Sequence, residues 1–278
     1  MKEYKRTNVY ETADEKTMKA IFDYAEGYKK FLGECKTERE ACAYIVEEAE
    51  KKGYEQFDFS EKVKKGDKLY YNNRGKAVFI IKIGTGDVKK DGIRIVGSHI
   101  DNPRLDLKQV PLYEDNGVAF AKTHYYGGIR KYQWATIPLA LHGVVAKKNG
   151  EVVTVKIGEE DSDPVFYVSD LLPHLAAKQN AKTLGEAIEG ENLNIWLGNI
   201  PYGEKEDDKT VKKNLLKILE EKYGIEEEDF LSAELSLTPS FKPKDIGFDR
   251  ALVGGYGHDD RVCSYAAFTA AFDTESDK

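Results

Sequence analysis

The sequence predicts a mixed α/β fold interrupted by a block made mostly of strands. Three observations carry this expectation. Amphipathic helical patterns dominate the start of the chain, β-branched runs bounded by turn residues follow, and the character changes after Asp106 before a short return to an α/β pattern at the end.

The elements follow in order. Met18, Ile21, Phe22, Tyr24, Ala25, Tyr28 and Phe31 approximate a helical stripe between Glu11 and about Gly33. Thr37 with Glu40 three residues on is a capping-box pattern, in which hydroxyl and carboxylate satisfy free amide donors. Ala41, Ile45, Val46 and Ala49 supply the buried face of that second helix, and Gly53 stops it. "KLYYNNRGKAVFIIKIG" reads as a hairpin around Asn72–Gly75, and "GIRIVGSH" as a strand apolar enough to lie inside a sheet.

Beyond Asp106, "GVAFAKTHYYGG", "YQWATIPLALHGVVA" and "EVVTVKIG" read as successive strands. "SDLLPHLAAKQNAK" reads as a short helix capped by Ser169 or Asp170, with Pro173 in its first turn. "YGEKEDDK" is a solvated charge run, predicted as a loop. It leads into a helix with Val211, Leu215, Ile218 and Leu219 on one face, ending near Gly224. "SAELSLTP" is a further strand, and Pro239 and Pro243 flank an extended connection. A Gly-rich loop, a His-Asp-Asp-Arg cluster and an apolar helix close the sequence.

Composition narrows the function classes. The 278 residues suit one large domain or two ordinary ones, and 41% hydrophobic residues suffice for a real core. A net charge of −7 argues against a nucleic-acid partner, because phosphate binding rewards a basic stripe. The start "MKEYKRTNVYETADEK" lacks the apolar core of a signal peptide, and no run suits a membrane span. A cytoplasmic protein with no membrane partner is expected. The odd count of three cysteines, Cys35, Cys42 and Cys263, argues against a disulfide scaffold and predicts buried thiols.

Two short clusters are able to carry chemistry. If the strand of "IVGSHIDNPRLD" continues through His99 and Asp101, both side chains share one face. His99 as a metal ligand oriented by Asp101 fits that arrangement. A polar turn fits too, since Asn102-Pro103 follows, and for so short a match a turn is the commoner outcome. In "GHDDRVC" the adjacent carboxylates Asp259 and Asp260 repel unless a positive group sits beside them. Arg261 or a divalent metal would serve, and a bridging carboxylate is what two-metal hydrolysis needs. Acidic residues complementing the first turn of a helix explain the same letters. His124, His142 and His174 sit in apolar or turn contexts that read as structural, and no phosphate-loop, dinucleotide or nucleophile-elbow pattern is present.

Taken with their flanks, these clusters acquire a common meaning. "VGSHIDNPRLDLK", "PLYEDNGVAFAKTHYYGGIRKYQW", "SDLLPHLA" and "GYGHDDRVCSYAA" stand in the order found in one family. The chain resembles the aspartyl-aminopeptidase-type zinc metallopeptidases of the bacterial branch. The resemblance implies an incomplete zinc-peptidase-like catalytic domain in 1–106 and 248–278, with an inserted, mostly β dimerisation domain in 107–247. It also implies removal of N-terminal residues from peptides, acidic ones in some relatives, by water activated at two zinc ions. His99 would be a metal ligand, Asp101 its catalytic support, and Asp259 the carboxylate bridging the ions, with Asp260 its neighbour. His174 would reach into a neighbouring subunit's site to help bind substrate, in a dimer or a dodecamer.

The sequence departs from the family pattern in one respect. The family continues with a Glu-Glu pair, a further Asp and a late His, and none of these can be assigned up to Lys278. A C-terminally truncated product with little or no peptidase activity of its own is therefore expected. The rival expectation is a non-catalytic assembly module in which the middle block dimerises. A hydrolase acting on carbohydrate or nucleotide has no supporting motif.

Overall fold

The computed structural model describes residues 3–203 and 209–275. In chain order, helices α1 (Val9–Thr12), α2 (Glu15–Glu34) and α3 (Glu38–Lys51) precede strands β1 (Glu55–Gln56), β2 (Lys68–Asn73) and β3 (Ala77–Lys82) and the short α4 (Val88–Asp91). Next come β4 (Arg104–Asp115), β5 (Val118–Tyr126), β6 (Leu139–Ala146), β7 (Val152–Ile157), α5 (Ala177–Asn180) and β8 (Ile195–Gly198). Then follow α6 (Thr210–Tyr223), β9 (Ala233–Pro239), β10 (Lys244–Ile246), β11 (Leu252–Gly254) and α7 (His258–Asp273). The chain divides into two compact units, residues 1–100 with 242–278, and residues 101–241.

The first unit is built on its helices. Asp14 caps α2 by accepting from the Thr17 amide, and the predicted capping box of Thr37 and Glu40 opens α3. Such caps contribute about 1 kcal/mol each. Phe31, Leu32, Cys35, Ala41 and Ile45 pack with Tyr265 and Phe268 of α7 into one core. Phe31 meets Phe268 edge-on, with ring centroids 5.4 Å apart at 71°, a preferred aromatic geometry. A Cβ at Gly27 would strike the Tyr265 hydroxyl, so glycine there allows α2 and α7 to approach. β1 pairs parallel with β2, and β2 and β3 form the predicted hairpin, closing at Asn73 opposite Ala77. The stretch between Pro239 and Pro243 has no helix or strand, as expected of a connection, and a second hairpin, β10 with β11, follows it.

The predicted strand "GIRIVGSH" does not form. Residues 92–100 have no strand or helix, and Ile93, Ile95 and Val96 are 69–79% exposed. The residues have strand propensity, but a strand also needs a hydrogen-bonded neighbour and a surface to bury its side chains.

The second unit is a six-stranded sheet in the order β7-β6-β9-β4-β5-β8. β6 pairs antiparallel with β9 from Leu139↔Pro239 to Val145↔Ala233, and β4 with β5 through a register shift between Leu107 and Leu112. Gly143 lies at φ +139°, and a Cβ there would collide with the Glu234 carbonyl oxygen on β9. β4 escaped the sequence pattern because Arg104, Asp106, Lys108 and Glu114 interrupt its apolar positions. The helix predicted in "SDLLPHLAAKQNAK" shrinks to α5. Asp170 accepts from the adjacent Leu171 amide and from Gln179 instead of capping a helix. α6 ends at Gly224 in the left-handed region (φ +61°), where a stop was predicted. Most of the predicted charge-run loop, residues 204–208, lies outside the described residues. His142 is fully buried, its Nε2 2.9 Å from Glu159 Oε1, as a structural histidine should be. Among the described residues no helix is long and apolar enough to cross a membrane.

Candidate metal centre

The first unit joins two residues from opposite ends of its sequence. His99 lies in the extended segment after α4, and Asp259 at the entry of α7, where Asp259 and Asp260 depart from helical geometry. His99 Nε2 and Asp259 Oδ1 stand 3.1 Å apart, with side chains 52% and 93% exposed. An exposed imidazole beside an exposed carboxylate offers nitrogen and oxygen donors of the kinds zinc takes.

The surroundings hold this pair from behind. Gly257 adopts φ +89° ahead of α7, turning the chain so that His258, Asp259 and Asp260 follow in sequence. Tyr28 of α2 places its hydroxyl 2.8 Å from His258 Nδ1, and burial pushes the Tyr28 phenol up to about 12. Arg261, which stands beside these carboxylates in the sequence, turns its Nε and Nη2 inward. It is fully buried, and its Nε and Nη2 donate to the Ile100 carbonyl at 3.2 and 3.1 Å. Cys263 is exposed, contrary to the expectation of buried thiols. Its thiol is pushed up by its hydrogen bond to the Asp260 carboxylate, which disfavours the reactive thiolate.

Asp101 and His174 belong to the second unit. Asp101 Oδ2 accepts from the Tyr126 hydroxyl at 2.7 Å. The Arg104 guanidinium lies 4.2 Å from the centre of the Tyr126 ring, and its Nε donates to Asp106 Oδ1 at 2.8 Å. Ser236 donates to the same Asp106 oxygen at 2.6 Å. No local pattern foretells this cluster, because it depends on Arg104 and Tyr126 being register partners across β4 and β5. His174 is exposed in a turn between Leu172 and Leu175, themselves 66% and 69% exposed.

Zinc takes three or four protein ligands. His99 and Asp259 fit two of those places by donor type and proximity. Among the described residues no group of three or more His, Cys, Asp or Glu is placed to hold a metal ion.

A mixed α/β protein that brings an imidazole and a carboxylate together has two of the donor types used by metal-dependent enzymes, and comparison with known proteins gives the family. The chain belongs to the aminopeptidase I zinc metalloprotease (M18) family, whose model matches residues 31–278. A "Probable M18 family aminopeptidase 1" of Clostridium acetobutylicum is 50% identical over all of this chain and 60% of its own length. The crystal structure of an M18 family aminopeptidase from Thermotoga maritima superposes with a TM-score of 0.93 at 40% identity, covering 99% of this chain and 60% of that one. Aminopeptidase I from Borrelia burgdorferi gives 0.86 at 40% identity, covering 97% and 62%. The chain thus spans about 60% of the length of the relatives it matches.

Proposed function

We propose that the chain is the part of an M18-type aminopeptidase that supplies His99 and Asp259 to a zinc centre acting on the N-terminal residue of peptides. The observation that carries this reading is the 3.1 Å approach of His99 to Asp259 across 160 residues of sequence, in a chain of a zinc metalloprotease family. His99 would be a metal ligand and Asp259 the carboxylate the resemblance assigns to both ions, with Asp101 the supporting carboxylate that the resemblance implies. When bound, the metal supplies a Lewis acid toward the peptide carbonyl. The exposure of both donors leaves room for substrate and for further ligands.

Two donors make a partial shell, so the chain alone binds zinc weakly and hydrolyses little. The second unit corresponds in this reading to the inserted dimerisation domain, assigned by its motifs to 107–247. His174, flanked by the exposed Leu172 and Leu175, is presented to the site of a neighbouring copy in a dimer or larger assembly.

The test is zinc titration of the purified chain, with hydrolysis assayed on peptides bearing acidic or apolar N-terminal residues. Weak zinc binding that disappears in both His99→Ala and Asp259→Ala, with little hydrolysis, is the expected result. Zinc binding indifferent to both substitutions overturns the ligand assignment. Brisk, chelator-sensitive hydrolysis by the chain alone overturns the partial shell.

A further inference from the structure

We infer that Arg261 is a positioning residue, a buried strut that sets the separation of His99 and Asp259. Its consequence for metal binding rests on the reading of that pair as zinc ligands. Its effect on the spacing of the two side chains does not.

Arg261 places a charge where water does not reach it. Arg261 is 0% exposed, and an ionised group taken out of water is stable only when its donors are satisfied. Nε and Nη2 fork onto a single acceptor, the carbonyl of Ile100. The guanidinium carbon lies 5.8 Å from the centre of the Phe31 ring, and Phe31 is itself fully buried in the core shared by α2, α3 and α7. The fork is therefore seated against the aromatic core of the unit.

Both ends of the strut adjoin the pair. Ile100 follows His99 in the chain, and Arg261 lies two residues beyond Asp259. The ring His99–Ile100···Arg261–Asp260–Asp259···His99 is closed by side-chain contacts at two points. Residues 92–100 have no strand pairing, so no sheet ladder fixes where His99 sits. A carbonyl gripped from the core provides that restraint. The planar fork suits the task, because it fixes direction as well as distance, whereas a lysine ammonium is a single point charge on a flexible stem.

The experiment compares Arg261→Met and Arg261→Lys with the parent chain, each checked for folding by far-ultraviolet circular dichroism. The His99–Asp259 contact is read without metal, from nitrogen-15 signals of the His99 ring at fixed pH, with Asp259→Ala marking a broken contact. The expected result is that Arg261→Met moves the ring signals most of the way to the Asp259→Ala position and Arg261→Lys moves them part of the way. Zinc affinity should fall by about tenfold or more in Arg261→Met, as removal of an outer-shell support does, and less in Arg261→Lys. Parent-like ring signals in a folded Arg261→Met chain overturn the strut, whatever the loss in thermal stability. If Arg261→Met fails to fold, Arg261→Lys decides on the same signals. If the parent chain binds no zinc at His99 and Asp259, the metal reading falls while the ring signals still decide the strut.

Discussion

The six-stranded sheet of the second unit and the run Ile93–Val96 of the first contain the same kinds of residue and meet opposite fates. In the sheet, β9 lies between β6 and β4, and residues from Leu235 to Pro239 are buried along its length. Ile93, Ile95 and Val96 are as β-prone, yet they remain 69–79% exposed with no ladder. β-propensity describes how well a side chain fits a pleated, half-buried surface, and it has no effect where no neighbour supplies that surface. The first unit draws its stability from helices and aromatic rings, whereas the second draws it from strand pairing.

Phe31→Ala tests that contrast with the largest effect. Phe31 is fully buried and meets Tyr44, Tyr265 and Phe268 at centroid distances of 5.2, 5.7 and 5.4 Å. Truncating such a side chain costs about 3–5 kcal/mol, through lost transfer energy and the cavity left behind. Hydrogen exchange should show α2, α3 and α7 losing protection while amides of β6 and β9 keep theirs. Equal loss in both units would mean that the helical core does not stand on its own contacts.

What was legible in the sequence follows the same division. The capping box at Thr37, the turn at Asn72–Gly75 and the stop at Gly224 are local devices, decided by residues within a few positions of one another. The motif letters around His99 and Asp259 were legible too, but only through a family resemblance, since either cluster alone reads as a turn or a helix start. What stayed hidden depends on long-range pairing. β4 was masked by its charged residues, the Asp101–Tyr126 contact needs the β4–β5 register, and Arg261 turns inward to a carbonyl 161 residues away. The one overcalled strand, "GIRIVGSH", failed for the converse reason: its local pattern was right and its partner was not supplied.

Alkaline pH separates the two units by a different route. Burial pushes Tyr28 and Tyr44 up to about 12, and also raises Tyr54 and Tyr265 in the same unit. In the second unit, among the described residues, burial raises Tyr113. A phenol whose folded pKa lies above its unfolded value near 10 holds its proton more tightly in the folded state. That contribution is fully present below pH 10 and is lost as pH rises toward 12. Ionisation of Tyr28 and Tyr44, read from their assigned ring signals, should therefore come together with loss of helical signal between pH 10 and 12, before the sheet signal fades. Ionisation of those two rings with the helices intact would show that these phenols are not held by the core.

Ile95→Lys carries the smallest effect on stability and bears most directly on the opening contrast. Ile95 is 79% exposed, and a surface substitution away from packed contacts stays within about 0.5 kcal/mol. The effect belongs to association, because an exposed extended run of β-branched residues is a template for pairing with another chain, and an inserted charge blocks it. Light scattering on the concentrated chain should fall on substitution while the unfolding midpoint holds. An unfolding midpoint that drops by several degrees would mean that Ile95 is packed in solution, and the contrast between a paired sheet and an unpaired run would then fail. Unchanged scattering with an unchanged midpoint would mean that exposure without a flat, hydrogen-bond-ready backbone is not enough to recruit a strand.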